Sequence, residues 1–272
     1  MPDFHDTCKV LLNDKNSIFK VSMAGLFLGP KNRIMEQKST LKEIEERFDK
    51  DVARFSNLET GQQTTLDATF NMELITDGIA AAAPRLKKIL DIGCGAGNYP
   101  VKLLSKTTTN PDVTLVDLSQ PMLDKAAERV QPLTTGQVTT IWGDFRTAAL
   151  EENTYCAIIA TAVLHHLRDD ADWEAAFAKF FSLLKPGGSI WIFDLVAQDH
   201  PAMQQLLFTQ HYGRYLSDLK DAAYRDHVFA YIEKEDTPRS VIYQTNLLRK
   251  VGFKTVELLH KNLCFASFAA FK

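Results

Sequence analysis

Three glycines at alternate positions, Gly93, Gly95 and Gly97, follow directly on the apolar run Ile89-Leu90-Asp91-Ile92. Glycines at a strand-to-helix turn let the backbone bend sharply and let a ligand lie where a Cβ would collide. The free N–H groups of the helix that follows favour an anionic part of that ligand. Asp91 precedes the turn, and two more acids, Asp117 and Asp144, stand at the ends of later apolar runs. The pair His165-His166 has the chemistry of a general base, because imidazole titrates near neutral pH. Adjacent residues after a strand point differently, so at most one of the two faces a cleft, and bracing of the segment is the blander reading of each. A third group, with His211, Tyr215 and Arg225, falls in a stretch rich in aromatics and histidine. Arginine there can pair with a carboxylate bidentately, whereas most such aromatics fasten a lid helix to its domain.

The elements that must position these residues follow from periodicity. Thr40 and Glu43 form a capping-box signature, and Leu41, Ile44, Phe48, Val52 and Phe55 recur at helical spacing, which predicts a helix over 41–55. A second helix carries Leu66, Phe70, Leu74 and Ile75 and ends at Pro84. Strand and helix signals then alternate. Strands are predicted at Ile89–Ile92, Val113–Asp117, Val138–Trp142, Tyr155–Thr161 and Ser189–Val196. The fourth is almost continuously apolar, as a strand covered on both faces should be. The rhythm stops over 198–239, and a helix near 241–250 and two strands near 254–259 and 263–271 close the chain. Residues 1–40 read as an extension with one alternating run, Ile18–Met23, and 41–272 as one domain with a helical insert at about 198–239. The alternation predicts an α/β fold with a doubly wound, mostly parallel sheet, in which ligands bind beyond the carboxyl ends of the strands.

Composition bounds the function. The chain has 272 residues, 45% of them hydrophobic, and a net charge of −3, which offers no electrostatic footprint for nucleic acid or an anionic membrane. Four scattered cysteines, Cys8, Cys94, Cys156 and Cys264, suit buried thiols in a reducing compartment better than disulfides or zinc. No basic leader precedes the apolar residues near the start, and no run approaches a membrane span. A cytoplasmic protein is expected. A dinucleotide fingerprint needs Gly or Ala where Asn98 stands, and a phosphate loop ending in Gly-Lys-Ser/Thr is absent, so NAD and ATP readings weaken.

Asp91-Ile92-Gly93-Cys94-Gly95-Ala96-Gly97 instead resembles the first motif of class I S-adenosylmethionine (SAM) dependent methyltransferases. The resemblance spans roughly residues 85–195 and extends to the two closing strands. It implies a seven-stranded Rossmann-like sheet, with Gly93, Cys94, Gly95 and Gly97 against the methionine portion and sugar of SAM. Asp91 either faces the ammonium through water or orders the loop. Asp117, with Leu118 and Met122 beside it, falls where the family reads the ribose hydroxyls. Gly143-Asp144-Phe145 falls where it places an acid near the adenine amine and an apolar neighbour on the ring. Thr161 to Leu167, with both histidines, looks like the segment that runs under SAM toward the substrate, and Leu184-Lys185-Pro186-Gly187-Gly188 like the turn before strand five.

Accessory segments resemble a second family, the carboxy-SAM synthases: Phe48-Asp49…Val52-Ala53, Leu206-Leu207-Phe208…His211, Ser217-Asp218-Leu219…Arg225 and Val251-Gly252-Phe253…Phe265-Ala266-Ser267-Phe268. That resemblance implies a carboxylate-binding role for Arg225 and a SAM contact near Gln62; Tyr215 and His211, from the insert expected to wall the acceptor pocket, join Arg225 in the expected substrate set. Thr161 stands where that family has asparagine, which with the His165-His166 pair pulls the chain toward ordinary methyltransferases. The expectation is methyl transfer from SAM to a small-molecule acceptor, with S-adenosylhomocysteine as product, no metal, no membrane and no nucleic acid, and a homodimer left open. The alternatives are a carboxy-SAM synthase-like enzyme using a carboxylic acid donor, and a SAM-binding protein without chemistry.

Overall fold

The computed structural model describes residues 38–57 and 62–272, all within a compact unit that starts at Gln37; the expected strand Ile18–Met23 lies outside them. Seven strands form one sheet: β1 (Lys88–Ile92), β2 (Asp112–Asp117), β3 (Val138–Trp142), β4 (Tyr155–Thr161), β5 (Leu184–Leu195), β6 (Thr255–Asn262) and β7 (Phe265–Phe271). Their order is β3-β2-β1-β4-β5-β7-β6, with only β7 antiparallel to its neighbours. The order reverses between β1 and β4, which pair in parallel from Ile89 with Ala157 to Ile92 with Ala160. Both strands are buried along nearly their whole length, so the crevice at their carboxyl ends opens directly above the core.

Before the sheet come α1 (Leu41–Phe48), α2 (Val52–Ser56) and α3 (Ala68–Ala82). The Thr40–Glu43 capping box forms as expected and starts α1. The single helix expected over 41–55 is broken at Asp49–Asp51. Asp49 instead accepts a hydrogen bond from Ser119 Oγ at 2.6 Å, and Asp51 engages Arg54. Short acidic side chains that find partners outside the helix favour such a break. In α3 the buried face is Met72, Ile75 and Ile79; Phe70, expected on that face, is exposed with its ring 5.0 Å from that of His260.

Helices α4 (Asn98–Leu104), α5 (Gln120–Val130) and α6 (Asp170–Leu183) connect the parallel strands. Strand β5 begins earlier than expected because Leu184 already pairs with Tyr155, and the Pro186-Gly187-Gly188 turn is accommodated as an irregularity before Ser189 meets Ala157. The insert is helical: a π-wound stretch, Gln204–Tyr212, runs into α7 (Gly213–Leu219), and α8 (Ala222–Glu235) follows. Helix α9 (Val241–Val251) stops at Gly252, whose φ of +119° suits glycine. Cys94, Cys156 and Cys264 are buried free thiols. Among the described residues no helix is long and apolar enough to cross a membrane.

The core packs α3 onto β5 so closely that a Cβ on Gly78 would lie 2.3 Å from Trp191 Cζ3. Trp191 cannot swing aside easily, since it is buried and donates from Nε1 to Ser189 Oγ at 2.8 Å. Gly78→Ala should therefore destabilise the protein by about 1–3 kcal/mol, against the better helix propensity of alanine. Urea unfolding reads the change; an unaltered or raised midpoint would show that the interface yields.

Candidate functional site

The glycine turn sits at the reversal point. Gly93, Gly95 and Gly97 all have positive φ, +63°, +49° and +75°. A Cβ at Gly93 would strike Val163 Cγ2 at 2.6 Å and one at Gly97 would crowd Ala126 at 3.1 Å, so those two glycines are required by packing. At Gly95 an added Cβ would meet nothing within 4 Å, because that residue borders an open cavity. Two side chains hold the turn. Asp117, at the end of β2, accepts from the Gly95 N–H at 2.8 Å through Oδ2 and from the Ser119 N–H at 2.9 Å through Oδ1. Arg129 on α5 donates to the Ala96 carbonyl and to Asn98 Oδ1.

The cavity runs from this turn across the carboxyl ends of β1, β2 and β4 to α1. Of the residues expected to bind cofactor, Gly93, Cys94, Gly95, Asp117, Leu118, Met122, Asp144, Phe145, Thr161 and Gln62 line it. Gly97 is set back against α5 and is not part of the lining. Asp91 is also not part of it. It is 2% exposed, with Oδ1 buried and unpartnered, and burial, reinforced by the Asp117 charge, pushes its carboxyl well above the usual carboxylate range. Burial raises Asp117 as well, against the N–H groups that favour its charged form. Asp144 is engaged by Arg146, through the backbone N–H at 2.9 Å and Nε at 2.8 Å, and Arg146 reaches on to Asp172. Phe145 stacks on Phe180, with ring centres 5.7 Å apart.

Sequence reasoning missed several residues here. Tyr99 lines the cavity with its hydroxyl buried beside Thr161, and burial drives its pKa upward. Ala162 has a φ of +52°, a strained backbone of the sort that gathers at functional sites, and it turns the chain so that Val163 lies under Gly93. Nothing in the sequence signals Tyr99, and although Ala162 falls in the segment expected under SAM, its positive φ has no sequence signature. Ile44, Phe48 and Arg168 complete the far wall. Arg168 is spent on backbone, donating to the Glu235 and Ser39 carbonyls.

The expected substrate set is corrected. Arg225, Tyr215 and His211 do not line the cavity. Arg225 pairs with its neighbour Asp226, His211 is exposed, and Tyr215 donates to the Gln63 carbonyl at 2.7 Å. Tyr212 does the same to Thr64 at 2.8 Å. The insert thus fastens the segment that carries Gln62 rather than reaching the cavity itself.

The two histidines divide as adjacent residues should. His166 lines the cavity, and its ring edge meets Phe48. His165 turns away. Its Nδ1 is bonded to Asp194 Oδ1, while Asp194 Oδ2 accepts the Leu164 N–H at 2.7 Å. Burial alone would lower the His165 pKa, but Asp194 and Asp236 outweigh it and push it up to about 9. Burial and the His165 charge hold His166 below its ordinary value. Asp194, an acid inside an apolar strand, is a signal the sequence offered; Asp236, brought from the far end of α8, is not.

The methyltransferase-domain family profile matches residues 89–188. An uncharacterized methyltransferase of Geobacillus kaustophilus is 32% identical over 139 residues, which is 51% of this chain; the chain spans only 60% of that relative. The carboxy-S-adenosyl-L-methionine synthase of Trichodesmium erythraeum is 27% identical over 190 residues, covering 68% of this chain and 72% of that protein. The magnesium protoporphyrin IX methyltransferase of Synechocystis PCC 6803, solved with S-adenosylhomocysteine, superposes with a TM-score of 0.59 at 14% identity, over 86% of this chain and all of that one.

Asp91 gives a pH prediction. Its proton is held more tightly in the folded than in the unfolded chain. Stability should therefore fall as pH rises above the unfolded carboxylate value, near 4, toward the higher folded value. Asp91→Asn should raise the melting temperature at pH 7 more than at pH 4. Equal shifts at the two pH values would contradict the burial argument.

Proposed function

We propose, from the premise that this chain is built on a class I SAM-dependent methyltransferase domain, that it transfers the methyl group of SAM to a small-molecule acceptor held in the same cavity. The observation that carries the reading is the bare face of Gly95 beside a carboxylate that still has accepting capacity. Each Asp117 oxygen takes one backbone N–H, which leaves lone pairs for the hydroxyls of a ribose. Met122, Leu118 and Phe145 supply apolar walls on the side where an adenine ring would lie.

SAM, when bound, supplies an activated methyl group on a sulfonium that is also its leaving group. The residues need only align the acceptor and exclude water. Ile44 and Phe48 do the second by closing the cavity from α1. His166 is the member of the pair within reach of an acceptor, should that group need to lose a proton. The net charge of −3 supports a small molecule over a nucleic acid. A carboxy-SAM synthase reading draws on the similarity to that enzyme, yet the arginine it assigned, Arg225, is paired with Asp226 outside the cavity.

SAM or S-adenosylhomocysteine at a hundred times its Kd should add about 2.7 kcal/mol of stability, a rise of roughly 5–10 °C in Tm at this size. NAD should add none. Gly95→Val should abolish the rise, because its side chain would enter the cavity. Stabilisation by NAD alone, or an unchanged response of the variant, would overturn the reading.

A further inference from the structure

Beside the cavity, three side chains from two distant parts of the chain converge. His165 Nε2 lies 3.8 Å and His166 Nδ1 3.2 Å from the same oxygen, Asp236 Oδ1. All three atoms lie within 4.8 Å of one another. Such spacing suits donors that would share one ion, since tetrahedral bonds of about 2.0–2.1 Å put ligand atoms roughly 3.3 Å apart. Asp236 is almost completely buried, and its Oδ1 and His166 Nδ1 form a close pair that an ion would bridge in place of the proton they share.

The surroundings orient the donors. Asp194 holds His165 Nδ1, which leaves Nε2 aimed at Asp236. A carboxylate behind a histidine is the arrangement that fixes the tautomer of a metal-ligating imidazole. Asp194 is itself anchored by the N–H groups of Leu164 and Leu195, each at 2.7 Å. Asp236 is fixed in turn, because the Thr237 N–H donates to the His165 carbonyl at 2.7 Å. The cations nearby, Lys38 and Arg168, point their donors at backbone carbonyls.

We propose that His165 Nε2, His166 Nδ1 and Asp236 Oδ1 bind one divalent transition-metal ion of the zinc class, with Asp194 orienting His165. Two imidazoles and one carboxylate suit zinc and its neighbours rather than magnesium or calcium, which prefer oxygen throughout. Three protein ligands leave a coordination position open. As His166 borders the cavity, that position lies toward the acceptor region. On the function proposed above, and only on it, the ion would favour an acceptor that binds through oxygen, whose hydroxyl it would acidify. The sequence suggested no metal because the ligands lie seventy residues apart along the chain, with no pattern of paired cysteines and histidines.

The test uses untagged full-length protein, stripped with a chelator and titrated with Co2+, read by its ligand-field absorption. The expected result is uptake of one equivalent with the intensity of a low-coordinate site, reversed by Zn2+. Asp236→Asn should weaken uptake at least tenfold, and Asp194→Asn by roughly 10–100-fold. Circular dichroism verifies that each variant folds, and His166→Gln replaces any that does not. Absence of stoichiometric uptake, or uptake indifferent to these substitutions, overturns the site. Calorimetry with S-adenosylhomocysteine runs in parallel: binding of the nucleoside without cobalt rejects the metal alone, and cobalt without the nucleoside rejects the proposed function alone.

Discussion

The bridge made by Asp117 is the interaction on which the site rests. A turn with three left-handed glycines in five residues has little intrinsic preference for one shape, since glycine loses more freedom on folding than any other residue. Asp117 removes that freedom by binding the Gly95 N–H on one side and the Ser119 N–H on the other. The same Ser119 caps α5 through the Met122 N–H and donates from Oγ to Asp49 between α1 and α2. One carboxylate therefore links the ends of β1 and β2, the start of a helix and the N-terminal cap of the cavity. Its own burial is the cost, visible in its raised pKa.

The second organising constraint is the buried acid of β5. Asp194 gathers the N–H groups of the segment after β4 and fixes His165, so the chain beyond Thr161 has one course under the cavity. Ala162, with its positive φ, and Val163, packed against Gly93, are consequences of that course. The glycine turn and the histidine segment are thus pressed together from opposite sides of the sheet's reversal point, and neither could be redrawn without the other.

Most of the sheet was legible because each strand is a short apolar run and each crossover ends in a recognisable stop. The glycine turn and Asp117 were legible for the same reason: their positions are local to strand ends. What lay beyond the sequence depended on long-range placement. Tyr215 was expected at the substrate, yet it spends its hydroxyl on the backbone of Gln63, as Tyr212 does on that of Thr64. Arg225 had the right chemistry for a carboxylate and found one next door, at Asp226. Helix 41–55 broke because Asp49 found a partner seventy residues away, which no periodicity announces. The meeting of Asp236 with the histidines is of the same kind.

The central claim is that the bare face of Gly95 and the spare lone pairs of Asp117 receive the sugar of an adenosyl cofactor. A crystal structure grown with excess S-adenosylhomocysteine tests it most directly. The account predicts the ribose on Asp117, the thioether end over Gly93–Gly95 and the adenine between Met122 and Phe145. An empty crevice, or a nucleoside seated elsewhere on the chain, would contradict it.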